Sequence, residues 1–121
     1  SYPIDLVQKV KKAADTKGPA YVHILPVCPT GWRSAPELSI KLGRLAVETG
    51  IFPLYEVEDG RYRLSIDFPK LRPVKEYIKL QGRFRHLTDE MIDQIEKRVH
   101  KEYKELKEKA VKGARDDSVR D

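Results

Sequence analysis

A single cysteine and a single methionine stand in this chain of 121 residues, and asparagine is missing altogether. One cysteine excludes an internal disulfide and points to a reducing compartment, so the expected location is cytoplasmic. No apolar run approaches the roughly 18 residues that a membrane span needs, and no membrane partner is expected. The first apolar stretch, Ile4-Asp5-Leu6-Val7, is short and charged and does not read as a signal peptide. No glycine-rich phosphate loop is present, and no Ser-His-Asp order stands in a credible context. Scarce Asn, Met and Cys beside abundant Lys, Arg and Glu is the usual hyperthermophile bias, which speaks of habitat and not of function.

What is present fits one soluble globular domain or a piece of one, with 40% hydrophobic and 36% charged residues. The net charge of +5 invites a nucleic-acid reading. Its distribution weakens that reading. Residues 89–112 carry seven acids and seven bases, while residues 1–88 carry fifteen bases and nine acids scattered along the chain. No stretch forms a dense basic arm.

Periodicity predicts the elements. Residues 3–16 read as an amphipathic helix with Ile4, Val7, Val10 and Ala14 on one side, stopped by Lys17-Gly18-Pro19. Residues 20–25 read as a strand buried between helix layers, with Val22 and Ile24 on one face and Tyr21, His23 and Leu25 on the other. Residues 36–49 form a second helix, capped at Ser34 or Ala35 and followed by Gly50. Residues 52–67 form a hairpin about Asp59-Gly60, packing through Leu54, Val57, Tyr62 and Leu64. Residues 73–80 form a short helix. Thr88 caps a long one at 89–112, with an apolar stripe of Ile92, Ile95, Val99, Tyr103, Leu106 and Ala110. Its outer faces offer the pairs Asp93–Lys97, Glu105–Lys109 and Glu108–Lys112. The tail at 113–121 is expected to fray. One sheet strand and a hairpin against four helices is a lopsided α/β inventory, since a doubly wound sheet needs several parallel strands.

Cys28 is the candidate for chemistry. It lies in Pro26-Val27-Cys28-Pro29-Thr30-Gly31-Trp32, at the C-terminal end of the expected strand, where α/β folds place functional groups. A free cysteine is also a common packing residue, and a cluster or metal needs further ligands that this chain lacks. His23, His86 and His100 form no cluster; His23 reads as a satisfied core residue and His100 as solvated. The segment Gln81-Gly82-Arg83-Phe84-Arg85-His86-Leu87 mixes arginines with an aromatic, as RNA-binding surfaces do. The reading we prefer is a loop that anchors Phe84 and Leu87 while Arg83 and Arg85 pair with acids.

Three long stretches, "GPAYVHILPVCPTGWR", "IKLGRLAVETGIFPLYEVEDG" and "PVKEYIKLQGRFRHLT", occur in that order. Together they resemble the C-terminal part of the β subunit of pyruvate:ferredoxin oxidoreductase and its 2-oxoacid relatives, from about residue 1 to residue 88. The resemblance implies the C-terminal portion of a thiamine diphosphate-binding α/β/α sandwich, with an added hairpin and a long C-terminal helix. On this reading residues 1–88 are an incomplete part of that domain, 89–112 an amphipathic helix and 113–121 a tail. The implied activity is oxidative decarboxylation of a 2-oxoacid on thiamine diphosphate, with electrons passing through [4Fe–4S] clusters to ferredoxin and the acyl group to coenzyme A. By the same resemblance Cys28 inherits the role of fourth ligand to the cluster nearest the thiamine, the site's metal and cofactor residue. The α, γ and δ subunits are implied partners.

The departure from the pattern is large. The family's other cluster cysteines and its thiamine diphosphate and Mg2+ motif lie upstream, and this chain has none of them; nothing here resembles the Gly-Asp-Gly of that motif. The chain alone is therefore expected to be inactive, and the absence of an initial methionine and of parallel strands is read as the mark of a piece of a longer subunit, or of one completed by a separate chain. Pyruvate is the first choice of substrate, and a branched-chain 2-oxoacid the second. Two readings of other classes stand beside it: a small basic nucleic-acid-binding module, and a structural piece whose 92–110 stripe docks a partner helix.

Overall fold

The computed structural model describes the backbone of residues 1–118 and the side chains of residues 1–112. Five α-helices and one two-stranded antiparallel sheet make a mixed α/β arrangement among the described residues. Helix α1 spans Pro3–Asp15, α2 Pro29–Trp32, α3 Ser39–Glu48, α4 Val74–Ile78 and α5 Asp89–Ser118. Strands β1 (Tyr55–Glu58) and β2 (Arg61–Leu64) form the hairpin, and single 3-10 turns occupy Pro36–Leu38 and Gly82–Phe84. The last helix, expected to end at 112 with a frayed tail, continues in the backbone to Ser118, since residues 113–118 hold no proline to stop it; 119–121 lie outside the description.

The core is where the helical stripes meet. Leu42, Leu45 and Ala46 of α3, Val74, Tyr77 and Ile78 of α4, Ile92 of α5 and Trp32 of α2 form one buried cluster. The stripe expected on α5 is the side it buries: Ile92 is 2% and Tyr103 5% exposed, and α5 packs on β2 and α4. Full burial of one such side chain is worth roughly 1.5–3 kcal/mol. The burial of Ile92 and Tyr103 is thus accounted for inside the chain, without a foreign helix along the whole 92–110 stripe.

Polar contacts fix how the helices meet. Thr88 Oγ1 accepts the Met91 N–H at 3.3 Å, which is the expected cap of α5. Glu96 reaches from α5 to accept the Val74 N–H at 2.6 Å, satisfying an orphan donor at the start of α4. The Tyr103 hydroxyl accepts the Phe68 N–H at 3.1 Å and pins the loop before α4. Asp89 pairs with Lys75 at 3.1 Å and Lys79 at 3.2 Å, joining the exposed ends of α4 and α5.

The hairpin has the expected turn: Asp59 (φ 50°) and Gly60 (φ 78°) both sit in the left-handed region, as a tight two-residue connection demands. Tyr55 stands opposite Leu64 and Val57 opposite Tyr62, and the Tyr55 and Tyr62 rings stack at 6.2 Å. Val57 was expected to pack but is 47% exposed, because α5 covers the hairpin through β2 and leaves the β1 tip bare. On the other face Glu56 binds Arg63 and Lys12 of α1.

One expectation fails, and one helix forms without cover, for the same reason. Residues 20–25 form no strand; among the described residues no backbone hydrogen bond holds residues 17–27, and Tyr21 is 85% and Ile24 53% exposed. Helix α1 forms, with Pro3 in its first turn, yet Ile4 (73%), Val7 (51%) and Val10 (45%) face outward and none of its residues is buried. A strand is defined by the neighbours that pair its amides, and an amphipathic helix by the surface that covers its stripe. Among the described residues neither partner exists. The pairs expected along α5 are also not formed: Arg98–Glu102 bridges instead at 2.8 Å, while Lys107 turns to Asp67 and Lys109 to the Tyr62 ring.

Lys75 and Lys79 hold the Asp89 carboxyl below its ordinary value. A depressed carboxylate stabilises the fold at every pH above the unfolded pKa and loses that contribution as pH falls through the folded one. Asp89→Asn is therefore expected to lower the melting temperature at neutral pH, and the gap from the parent chain should close as the solution is acidified below the carboxylate range. Salt should narrow it too, since all three groups are exposed. A series of thermal melts against pH and salt measures both.

Candidate functional site

Cys28 caps the N-terminus of α2. Its backbone is extended (φ −113°, ψ 98°), its carbonyl accepts the Trp32 N–H at 2.8 Å, and its Sγ accepts the Gly31 N–H at 3.3 Å. Pro29 suits the position after the cap, where an N–H would have no partner and a fixed φ starts the turn. Arg33 closes the turn in the left-handed region at φ 53°, and the Ser34 N–H returns to the Pro29 carbonyl at 3.0 Å. The thiol itself is exposed. A β-carbon at Gly31 would lie 3.3 Å from Sγ, so any larger residue would crowd the sulfur and require it to shift by a few tenths of an ångström.

A second segment clamps this turn to the core. The Gly82 N–H donates to the Arg33 carbonyl at 3.0 Å, and a β-carbon at Gly82 would stand 2.9 Å from Arg33 Cβ. Glycine is what allows that approach. Trp32 is 6% exposed, meets Tyr77 edge-to-face at 6.1 Å, and lies under the Arg83 guanidinium at 4.2 Å. Arg83 also lies 4.5 Å from the Phe84 ring, and its Nε donates to Gln81 Oε1 at 2.8 Å. Buried Gln81 in turn donates from Nε2 to the Tyr77 carbonyl at 2.8 Å. Burial pushes the Tyr77 hydroxyl up, with the nearby Arg83 opposing it. The expected acid partner of Arg83 is thus replaced by two rings and an amide, because the loop turns the guanidinium inward. Phe84 and Leu87 do pack on the core.

Other candidates do not join Cys28. His23 is exposed and contacts Phe52 edge-to-face at 5.2 Å, so it is not the buried core residue expected; its strand has no sheet to be buried in. His86 and His100 are exposed. No group of three or more His, Cys, Asp or Glu side chains able to hold a metal exists among the described residues. Ser34 Oγ, beside the turn in sequence, is buried without a hydrogen-bond partner. Gly31, Gly82, Gln81 and Arg83 were not legible as site residues. The closest signal was that both segments carry glycine beside an aromatic and an arginine.

No protein-family model matches the chain. Curated proteins do. It is 52% identical over 106 residues, 88% of its length, to pyruvate synthase subunit PorB of Methanocaldococcus jannaschii. It is 48% identical over 107 residues, 88% of its length, to the subunit of the same name from Methanothermobacter marburgensis. It is 43% identical over 112 residues, 91% of its length, to ketoisovalerate oxidoreductase subunit VorB of Pyrococcus furiosus. A polypeptide that aligns so far with oxidoreductase subunits of both names belongs to the β-subunit family of the 2-oxoacid oxidoreductases, and it matches a C-terminal portion of that subunit. The aligned region covers 36% of the first and third of these relatives and 37% of the second, so the chain spans little over a third of their length.

Trp32 is the sole tryptophan and reports on the clamp directly. Gly82→Ala is expected to cost about 1–3 kcal/mol, the usual penalty for overpacking. Arg83→Ala is expected to cost about 0.5–2 kcal/mol and to red-shift Trp32 emission as the indole loses its cover. Urea titrations followed by tryptophan fluorescence measure both; unchanged midpoints and emission would show that the clamp holds nothing.

Proposed function

We propose that this chain forms the C-terminal part of the thiamine diphosphate-binding domain in the β subunit of a pyruvate:ferredoxin oxidoreductase, and that Cys28 supplies one thiolate to a [4Fe–4S] cluster. The observation that carries the reading is the geometry of Cys28: an exposed sulfur on a proline-started turn, fixed to the core by Trp32 and Gly82. Homology to subunits named for pyruvate and ketoisovalerate oxidoreductases supports it.

The residues fit one corner of such a cluster and no more. Cluster iron is held by cysteine thiolates, commonly four, and this chain has a single cysteine. The remaining thiolates come from the part of the subunit that this sequence does not include. In the assembled enzyme, bound thiamine diphosphate with Mg2+ would supply decarboxylation chemistry and the cluster a one-electron route to ferredoxin, with coenzyme A as acyl acceptor. What the present residues do is aim and tune. Pro29 and the Arg33 bend fix the direction of Sγ. The Gly31 N–H withdraws charge from the sulfur, and amide donors of this kind raise a cluster's potential. Buried Trp32 keeps water from the turn's inner side.

The same proposal accounts for the bare surfaces. Residues 20–25 become a strand once parallel neighbours pair their amides, and α1 then covers that sheet with Ile4, Val7 and Val10. The chain by itself neither holds a cluster nor turns over substrate. The α, γ and δ subunits complete the enzyme, which acts in the cytoplasm. Pyruvate is the proposed substrate; the similarity to a ketoisovalerate subunit makes a branched-chain 2-oxoacid the second reading.

The test uses the full-length subunit assembled with its partners under anoxic conditions. Cys28→Ala should remove the iron of one [4Fe–4S] cluster and its electron paramagnetic resonance signal, leaving the other clusters in place. Iron content and spectrum equal to the parent would refute the ligand role. Pyruvate and 2-oxoisovalerate compared by kcat/KM on the parent complex decide the substrate, with pyruvate expected to lead.

A further inference from the structure

An open groove of about 700 Å³ runs between the loop before α4 and the outer side of α5. Leu71 and Val111 contribute apolar surface to it, and buried Tyr103 lies at its base. Among the described residues, Lys70, Lys104 and Lys112 line it without an ion pair, while Lys107 is already bound to Asp67 at 2.8 Å. Glu108 is the single acid among the described lining residues. The α5 residues involved run from His100 to Lys112, about 18 Å at 1.5 Å per residue, which matches roughly three turns of a second helix.

We propose that this groove seats an acidic amphipathic helix of a partner subunit, an inference that rests on the subunit reading given above. Charge complementarity selects the occupant: three ammonium groups, unpaired among the described residues, border an apolar floor, so the matching surface is an apolar stripe flanked by carboxylates. The rest of the β subunit is a poorer candidate. Helix α1, a surface left bare for it, lies at the Glu56 face of the hairpin, where Lys12 bonds at 2.7 Å, whereas α5 covers the hairpin from the side of Tyr62. Nucleic acid is disfavoured because the Tyr103 ring at the base is buried, with its hydroxyl committed to Phe68, and offers no platform for a base. Three free lysines also release few counterions.

The test is carbodiimide cross-linking of the assembled complex, which joins a lysine directly to a touching carboxylate, followed by peptide mass spectrometry. The expected adducts link Lys70, Lys104 or Lys112 to Asp or Glu residues on one helix of a partner subunit. The double variant Lys70→Glu/Lys104→Glu should slow association with the partners on the order of tenfold at low salt, an effect that shrinks as salt screens the rim. Both side chains are surface groups outside the core, and a circular dichroism melt matching the parent excludes misfolding. Adducts confined to the β subunit's own acids, or none at all, overturn the proposal, as does unaltered association of the double variant. A gel shift of single-stranded RNA by the parent complex, lost in the double variant, also overturns it and makes the groove a phosphate surface. Iron content and paramagnetic spectra of the same samples keep the two readings apart. An intact cluster signal without inter-subunit adducts sinks the groove alone; a signal indifferent to Cys28→Ala sinks the ligand role alone.

Discussion

The burial of one indole organises this molecule. Trp32 belongs to a helix of four residues, which could not persist by itself, since nucleating a helical turn costs more than its few hydrogen bonds return. The ring survives as an ordered anchor because Tyr77 meets its edge and Arg83 covers its face. The Cys28 turn is held to the core by this anchor together with the Gly82 bond to the Arg33 carbonyl, and the 81–84 loop is placed by the same contacts. Helix α4 contributes Tyr77, and α5 holds α4 through Glu96 and Asp89. A line of contacts therefore runs from the last helix to the sulfur.

Rigidity at a thiol has a chemical use when that thiol serves as a ligand. A redox centre that changes charge reorganises less when its ligands cannot move, and its potential is set by the hydrogen bonds that reach the sulfur. The Gly31 amide is such a donor. The two glycines near the site serve different ends: Gly31 leaves room for the sulfur above its own amide, and Gly82 lets a second backbone approach Arg33. Neither place tolerates a methyl group without moving something.

The two halves of the molecule are unequally finished. From α3 onward, buried side chains are packed and their polar atoms largely paired. Before Cys28, a helix without a buried residue leads into a segment without backbone partners. Apolar residues such as Tyr21 and Ile24 left in water are the physical mark of an interface, here toward the sheet that the proposed parent subunit supplies.

Sequence alone determined what depends on near neighbours. The turn at Asp59-Gly60, the Thr88 cap, the α5 stripe and the helices expected at 3–16 and 36–49 follow from residue chemistry over a few positions; the structure has the helices at Pro3–Asp15 and, after a 3-10 turn at Pro36–Leu38 with no side-chain cap, at Ser39–Glu48. The resemblance also singled out Cys28 by its turn. Tertiary structure decided whatever needed a distant partner. Residues 20–25 have the pattern of a strand but no neighbour to pair with, so pattern could not make them one. Arg83 was readable as a surface charge until the fold placed Trp32 beneath it, and Val57 as a packing residue until α5 chose β2. Local preferences are written in adjacent side chains, whereas burial, pairing and the aim of a sulfur depend on surfaces that meet only after the chain has folded.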